Sequence, residues 1–369
     1  MTALALFGRV VARLAWPVRP GAFRLFLALM VFVHHFSSLD WGPAAVYAFF
    51  VLSGFWIETM WTTRYRHARQ PYLTYMVSRV WRLAPVMVLV SLITMLLLPL
   101  VGVPMTTILG SNPLRLALST LFLLGYTWLP YLPVGSAWSL DVEMQFYIVA
   151  PLLAVALATP KRGKVAILAA AMLCSLLSAL TIDAYVLPRY IAFFMVGMTA
   201  AHLRWLPSER QVRVSAGLTV ALVVGVIVSP WRGIVVGGAH PGPLFVYAPA
   251  FNIVLGVVVI PFAIATTRRP SDALDRMMAD LSYIVYLQHW VAMQWFAQIK
   301  APFVRRLAVA AASFALVLPA SWLIWRFYDQ PINRLRARWV ASRMAPLPEN
   351  RGEAQPAPAS TTAAAPVTR

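Results

Sequence analysis

The sequence predicts an all-α fold, a polytopic transmembrane helical bundle with about ten spans, and three observations predict it. The 369 residues are 60% apolar and only 12% charged, a balance that soluble domains do not show. Apolar runs long enough to cross a bilayer recur along the chain, separated by short loops. The formal charge of +19 falls in those loops as brief Arg and Lys runs. That is the pattern of the positive-inside rule, whereas a nucleic-acid binder gathers its cations on one face. The single cysteine, Cys174, lies in the apolar run AMLCSLLSAL, so neither an intrachain disulfide nor a cysteine-rich metal site is expected.

In order, the chain divides into a basic N-terminal segment (1–24), a transmembrane domain (25–340) and a Pro-, Ala- and Thr-rich tail (341–369) that reads as disordered and cytoplasmic. Arg9, Arg13, Arg19 and Arg24 precede the first apolar run, which lacks an Ala-x-Ala cleavage pattern and is expected to be a retained span. Spans at about 25–39 and 44–60 are joined through Trp41, Gly42 and Pro43, with Asp40 the one charge between them. The following stretch, 61–82, holds Arg64, Arg66, Arg69, Arg79 and Arg82, which puts it and the N-terminus in the cytoplasm. A third span, about 83–100, runs outward.

The run 114–128 is apolar apart from Arg115. The cytoplasmic signal Lys161, Arg162, Lys164 follows a segment that starts at Glu143, so that segment runs inward and an even number of crossings lies between 101 and 140. None is the simplest solution, with 114–128 re-entrant or at the surface and sheltered by protein. Spans then alternate at roughly 165–181, 189–203, 214–230, 244–265, 280–298 and 307–326. Arg232, Lys300, Arg305 and Arg306 are exceptions to otherwise lean outer loops. Both termini fall inside. No room remains for a soluble catalytic domain, so any chemistry must use groups on the helices and short loops.

Those groups are few. The phrase WSLDVEMQFY, Trp138 to Tyr147, sets Asp141 and Glu143 at the start of an uncharged segment, where a carboxylate is expensive and marks either a functional site or an ion pair with an arginine. On the first span His35 lies about 16 Å along the helix from Arg24, inside the membrane region, and imidazole is the group suited to taking and returning a proton near neutral pH. His34 points about 100° away from it. Ser53 and Gly54 in FFVLSGF read first as a close-packing pair and second as a hydrogen-bonding or nucleophilic serine, since Gly-x-Ser-x-Gly is absent. Arg79 and Arg82 share a helix face and offer guanidinium forks to phosphates, although topology alone also explains arginines there. ADLSYIVYLQHW carries Ser282, Tyr283, Tyr286 and His289 into a late span. No histidine pair at zinc-ligand spacing occurs, so no metal is predicted.

Together these residues resemble the acyltransferase-3 family of integral-membrane acyltransferases, over about residues 20–340. The elements stand in the family's order: Arg24 and His35, FFVLSGF, Arg79 with Arg82, Trp-Ser-Leu-x-x-Glu-x-x-Phe-Tyr at 138–147, Ser-Tyr-x-x-Tyr-Leu-x-His at 282–289, and an acidic residue before Pro331. The chain departs from the pattern at Gly21, where the family often has aspartate, at Met144, a frequent second glutamate, and at Asp329, a usual glutamate. The resemblance implies transfer of an acyl group, most commonly acetyl from acetyl-CoA, to a hydroxyl of a cell-surface glycan or lipid-linked saccharide. It implies His35 and Glu143 as catalytic residues and Arg24, Arg79 and Arg82 as donor-binding residues. Ser53, Trp138, Asp141, Tyr147, Tyr286 and His289 would bind the acceptor. Expected partners are membrane lipids and the saccharide, not nucleic acid. A second copy of the chain or glycan-synthesis machinery are further partners compatible with it, and the bacterial inner membrane is the expected location. A transporter, or a flippase without chemistry, would also have about ten spans; no convincing repeat relates 25–180 to 190–326, and acyl-CoA turnover by purified protein separates these classes.

Overall fold

The computed structural model describes residues 18–238, 240–297 and 303–344; Arg9, Arg13, Lys300 and the 345–369 part of the tail lie outside the described residues. The helices are α1 Pro20–Phe36, α2 Gly42–Thr63, α3 Pro71–Leu97, α4 Pro113–Phe122, α5 Trp138–Ala156, α6 Lys161–Thr181, α7 Leu187–His202, α8 Glu209–Val228, α9 Ala248–Val258, α10 Ile260–Thr266, α11 Ala273–Ala297, α12 Phe303–Ile324 and α13 Gln330–Ser342. Among the described residues β structure is limited to two isolated bridges, Leu39–Val236 and Ala68–Met344.

Six helical segments are long and apolar enough to cross a membrane, seven when α9 and α10, bent by 43°, count as one broken span. The protein is therefore an all-α polytopic membrane bundle. The other three expected spans coincide with α1, α7 and α11, and each misses that description for a physical reason. Helix α1 has 17 residues and α7 has 16, so each rises only about 25 Å against a hydrocarbon core of about 30 Å. Helix α11 has 25 residues but carries Asp275, Arg276, Asp280, Gln288 and His289. All three pack within the bundle: α1 on α11, and α7 on α2. Helix α6, by contrast, presents Leu173, Leu176 and Leu180 outward, as a lipid-facing helix does.

Loop contacts sort the connections into two ends. Arg69 N–H donates to Arg343 O (2.7 Å) beside the Ala68–Met344 bridge, and Arg19 pairs with Asp272 at the same end. At the other end Asp40 N–H donates to Val235 O (2.7 Å) and Gly237 N–H to Ser38 O (2.8 Å). Arg19 and Met344 thus lie at one end, called here the arginine end. The Asp272 carboxyl, which accepts from the Asp275 backbone N–H and from Arg19, is held below the usual carboxylate range.

Two close approaches fix helices within the bundle. Gly54 of α2 and Gly197 of α7 each lie against the other helix's backbone, at Phe194 O and Val51 O, where a Cβ would collide. In the FFVLSGF phrase close packing therefore falls to Gly54. Gly21 presses on the backbone of Asp275, whose Oδ1 accepts from Ala22 N–H (3.0 Å) at the N-terminus of α1. The carboxylate that the family pattern puts at position 21 is supplied here from α11, and an anion at a helix N-terminus is favoured by the helix dipole.

Element boundaries moved where proline was involved. Helix α3 starts at Pro71, twelve residues before the expected span, with Pro71 at the first helical position and Pro85 inside the helix. Tyr283 and Tyr328 hydroxyls donate to the carbonyls of Leu83 (2.7 Å) and Pro85 (3.3 Å) around it. Beyond α12 the chain does not stop but passes through a π-helical turn, Trp325–Asp329, into α13. The 114–128 stretch is the ten-residue α4, about 15 Å long and too short to cross, followed by the Tyr126–Trp128 turn.

Candidate active site

Between α1, α2, α3, α5 and α11 lies a cavity of about 230 Å³. Seven of the eleven residues named from sequence line it: Arg24, Ser53, Arg79, Arg82, Glu143, Tyr147 and Tyr286. Of its two carboxylates, Glu143 and Asp280, Glu143 is half-buried on the first turns of α5, and its Oε1 accepts from Ser53 Oγ (2.5 Å) and from Tyr147 Oη (2.6 Å), one helical turn on. Among the described residues nothing donates to Oε2.

The three arginines differ in state. Arg82 is neutralised: Nη2 donates to Asp280 Oδ1 (2.7 Å) and Nη1 to both oxygens of Asp329 (3.2 and 3.3 Å). Asp329 sits on the π-helical turn, a distortion common at functional sites. Arg79, 8% exposed, donates Nη2 to Tyr65 Oη (3.0 Å), and its Nε is buried without a partner. Arg24 stands 6.0 Å over the Phe49 ring, and its Nε is likewise buried and unpartnered. Neither Arg24 nor Arg79 has a carboxylate within ion-pair distance among the described residues. A buried cation without an anion is costly, and two such groups lining one cavity are chemically fitted to a ligand anion.

The other four residues lie elsewhere. Asp141 is fully buried and takes four hydrogen bonds, from Gly125 N–H, Thr127 N–H, Thr127 Oγ1 and Gln145 Nε2 (2.9–3.2 Å). Its lone pairs are spent on holding the 125–127 turn, so the acceptor-binding role assigned to it has no free atom to act through. Trp138 stacks on Tyr185, ring centroids 4.4 Å apart, outside the cavity lining. His35 and His289 form a second polar centre. Their rings stack at 5.2 Å, and the Trp290 indole meets His35 edge-on at 5.1 Å. His289 Nδ1 lies 3.1 Å from Val285 O, which assigns the proton to Nδ1 and leaves Nε2 as an acceptor, buried and unpartnered; Trp290 Nε1 is buried and unpartnered too. His35 makes no hydrogen bond among the described residues. His34 instead faces the loop, Nδ1 3.0 Å from Leu39 O and 3.4 Å from Asp40 Oδ1. Burial pushes the Asp40 carboxyl above its usual range, and the His34 imidazole opposes that shift.

Tyr286 joins the two centres. Its ring lines the cavity and lies 6.1 Å from that of His289, and its hydroxyl is shared with Ser139 Oγ (2.7 Å) and donates to Ser136 O (3.0 Å). A model of the family described as Acyltransferase domain matches residues 20–326, which takes in all eleven residues named from sequence and stops just short of Asp329. The chain belongs to the acyltransferase-3 family. It is thus a member of a family of integral-membrane acyltransferases, an acyltransferase-type enzyme. No curated protein and no solved structure matches the chain.

Asp280, Ser139, Tyr65 and Tyr283 were not singled out as site residues from sequence. Asp280 carried a usable signal, a carboxylate at the start of a span, the same that drew attention to Asp141 and Glu143. Tyr65 carried none, because its role depends on Arg79 reaching it from the next helix.

Proposed function

We propose that this acyltransferase moves an acyl group, acetyl in the simplest case, from acyl-CoA to a hydroxyl of a cell-surface glycan or lipid-linked saccharide. The observation that carries the proposal is the two guanidinium groups without a carboxylate partner, Arg24 and Arg79, on a cavity whose lining residue Tyr286 lies against the His289 ring. A phosphate-bearing donor entering from the arginine end would meet these cations, and charge-assisted forks bind such groups strongly. The cavity is smaller than the ~300–1,000 Å³ that encloses a drug-sized ligand, so it admits the acyl end and part of the thiol-bearing arm and leaves the nucleotide at the rim.

In the chemical step His35 takes the proton of the acceptor hydroxyl. The oxygen attacks the thioester carbonyl carbon, the C–S bond breaks, and the departing thiolate recovers the proton from the imidazolium. Ester and free thiol are the products. Glu143, held through Oε1 by Ser53 and Tyr147, keeps Oε2 for the acceptor or for Arg24. Proton transfer of this kind contributes about 10²- to 10⁴-fold, and the remainder comes from positioning and charge stabilisation in a dry site. In the same proposal the chain makes about ten crossings of a bacterial inner membrane, with the arginine end and both termini cytoplasmic.

The test is free-thiol release from acetyl-CoA by purified protein in lipid nanodiscs, with and without a saccharide acceptor. Acceptor-dependent release is expected. Movement of a labelled saccharide across proteoliposomes without any thiol release would make the protein a transporter and overturn the proposal. A tag near residue 130 should be reached from outside the cell; labelling from the cytoplasm would overturn the threading.

A further inference from the structure

Close to the cavity, at the arginine end, the structure holds a second concentration of cations, of which the proposed chemistry uses only Arg79. Tyr65, 1% exposed, accepts from Arg79 Nη2 (3.0 Å), and its hydroxyl shares a hydrogen bond with Ser78 Oγ (2.8 Å). Ser78 in turn accepts from Arg336 Nη1 of α13 (3.0 Å). Arg64 stands 6.0 Å over the Tyr65 ring. Two guanidinium groups, Arg79 and Arg336, are therefore linked through two neutral hydroxyls, with a third beside them. None of the three has a carboxylate within ion-pair distance among the described residues. Arg82, one turn from Arg79, is matched by two aspartates, so carboxylates are available to this part of the bundle and are withheld from these three.

The arrangement is built rather than incidental. The 64–69 loop is stapled to the end of α13 by the Ala68–Met344 bridge and by Arg69 N–H to Arg343 O (2.7 Å), and Trp81 packs on Trp339 between α3 and α13. Asn333 Oδ1 holds Arg336 Nε (3.1 Å), and among the described residues Nη2 of the guanidinium has no hydrogen-bond partner. Arg79 supplies the independent sign of a ligand: it is more than nine-tenths buried, lines the cavity, and has an orphaned Nε. Like charges brought together without an acid repel, and a bound polyanion relieves the repulsion.

We infer that Arg336, with Arg64 and Arg79, forms a phosphate-binding rim that holds the phosphorylated nucleotide end of the donor while the acyl end enters the cavity. This rests on the acyl-CoA reading of the same cavity. It adds a residue beyond the family-matched region, 20–326, and assigns a part of the donor to it. The chemistry required is phosphate recognition by guanidinium forks, and an anionic lipid headgroup is the other source of phosphate at a membrane rim.

The experiment compares Arg336→Gln and Arg336→Lys with wild type on acetyl-CoA, on its 3′-dephospho form and on acetyl-pantetheine, in nanodiscs with and without anionic lipid. For Arg336→Gln the KM for acetyl-CoA should rise about 10-fold or more, with kcat little changed and Arg336→Lys in between. The same variant should leave the KM for acetyl-pantetheine where wild type has it, in both lipid backgrounds. An equal rise for all three donors, or a rise seen only with anionic lipid, overturns the inference in favour of a structural or headgroup role. Calorimetric binding of adenosine 3′,5′-bisphosphate is read in parallel and needs no turnover: wild type should bind it and Arg336→Gln more weakly. Should wild type release no thiol at all, the functional proposal fails while this arm still decides the rim; equal binding by both proteins, or none, overturns the rim.

Discussion

The cavity and the histidine cluster are built on the same pair of helices, α1 and α11, yet they treat polarity in opposite ways. The cavity wall carries charges and groups bonded to them: Glu143 with Ser53 and Tyr147, Arg82 with Asp280 and Asp329. Around His35 the polar atoms are neutral, the rings stack, and His289 Nε2 and Trp290 Nε1 are left without partners. A charged, hydrogen-bonded wall suits the binding of an anion. A neutral imidazole among aromatic rings suits proton transfer, since its lone pair is available and no fixed charge biases it. Register keeps the two centres apart: Gly21 meets Asp275 and His35 meets His289, so α1 and α11 run parallel in step over about 21 Å.

The largest expected effect breaks the division outright. His35→Ala should lower kcat by two orders of magnitude or more with the KM for acyl-CoA nearly unchanged. His34→Ala, which removes a contact to the 39–40 loop, should cost far less. Full turnover by correctly inserted His35→Ala protein would end the assignment of proton transfer to this cluster.

On the cavity side, Arg79→Ala should raise the KM for acyl-CoA about 10- to 100-fold and leave kcat at saturating donor within a few-fold. Arg79→Lys should recover part of the loss, since it restores charge without the fork. A fall in kcat at unchanged KM would move Arg79 to the chemical side of the division.

Asp141→Asn sharpens the boundary by testing a residue that belongs to neither centre. It should destabilise the protein by about 1–3 kcal/mol, because a buried acceptor of four bonds becomes a group that also needs acceptors. Thermal unfolding in detergent reads this, and the KM values of the surviving protein should match wild type. A selective rise in acceptor KM would return Asp141 to the site.

The smallest effect is expected at Ser53. Ser53→Ala removes one of two donors to Glu143 Oε1 while Tyr147 remains, so acyl transfer should fall only about 3- to 10-fold. Loss as complete as that of His35→Ala would make Ser53 a nucleophile.

Much of the fold was legible because the bilayer imposes a strong pattern: of the ten segments expected to span, six or seven are helices long and apolar enough to cross. What was not legible was which helices are inner ones. Polar residues that shorten or dilute an apolar run, as in α1 and α11, are the residues that face the bundle, but the run alone does not tell what they meet. The start of α3 was missed because Pro71 opens a helix, while the polar residues after it read as a loop. Of the site, residues whose chemistry is expensive in a membrane stood out singly. Their pairings did not: Asp329 with Arg82, Asp275 under Gly21 and Asp141 around a turn are contacts through space between residues that carry no mutual signal in the chain.

The in-step pairing of α1 with α11 also sets a schedule. Ala22 and Asp275 are 253 residues apart in sequence. At a synthesis rate of roughly 5–20 residues per second the first helix waits about 13–50 s for its neighbour to leave the ribosome. Throughout that interval His35 must be sheltered by something other than His289, its final partner. A nascent chain that stops short of α11 holds His35 without His289 and a cavity without the wall that Asp280, Tyr283 and Tyr286 supply.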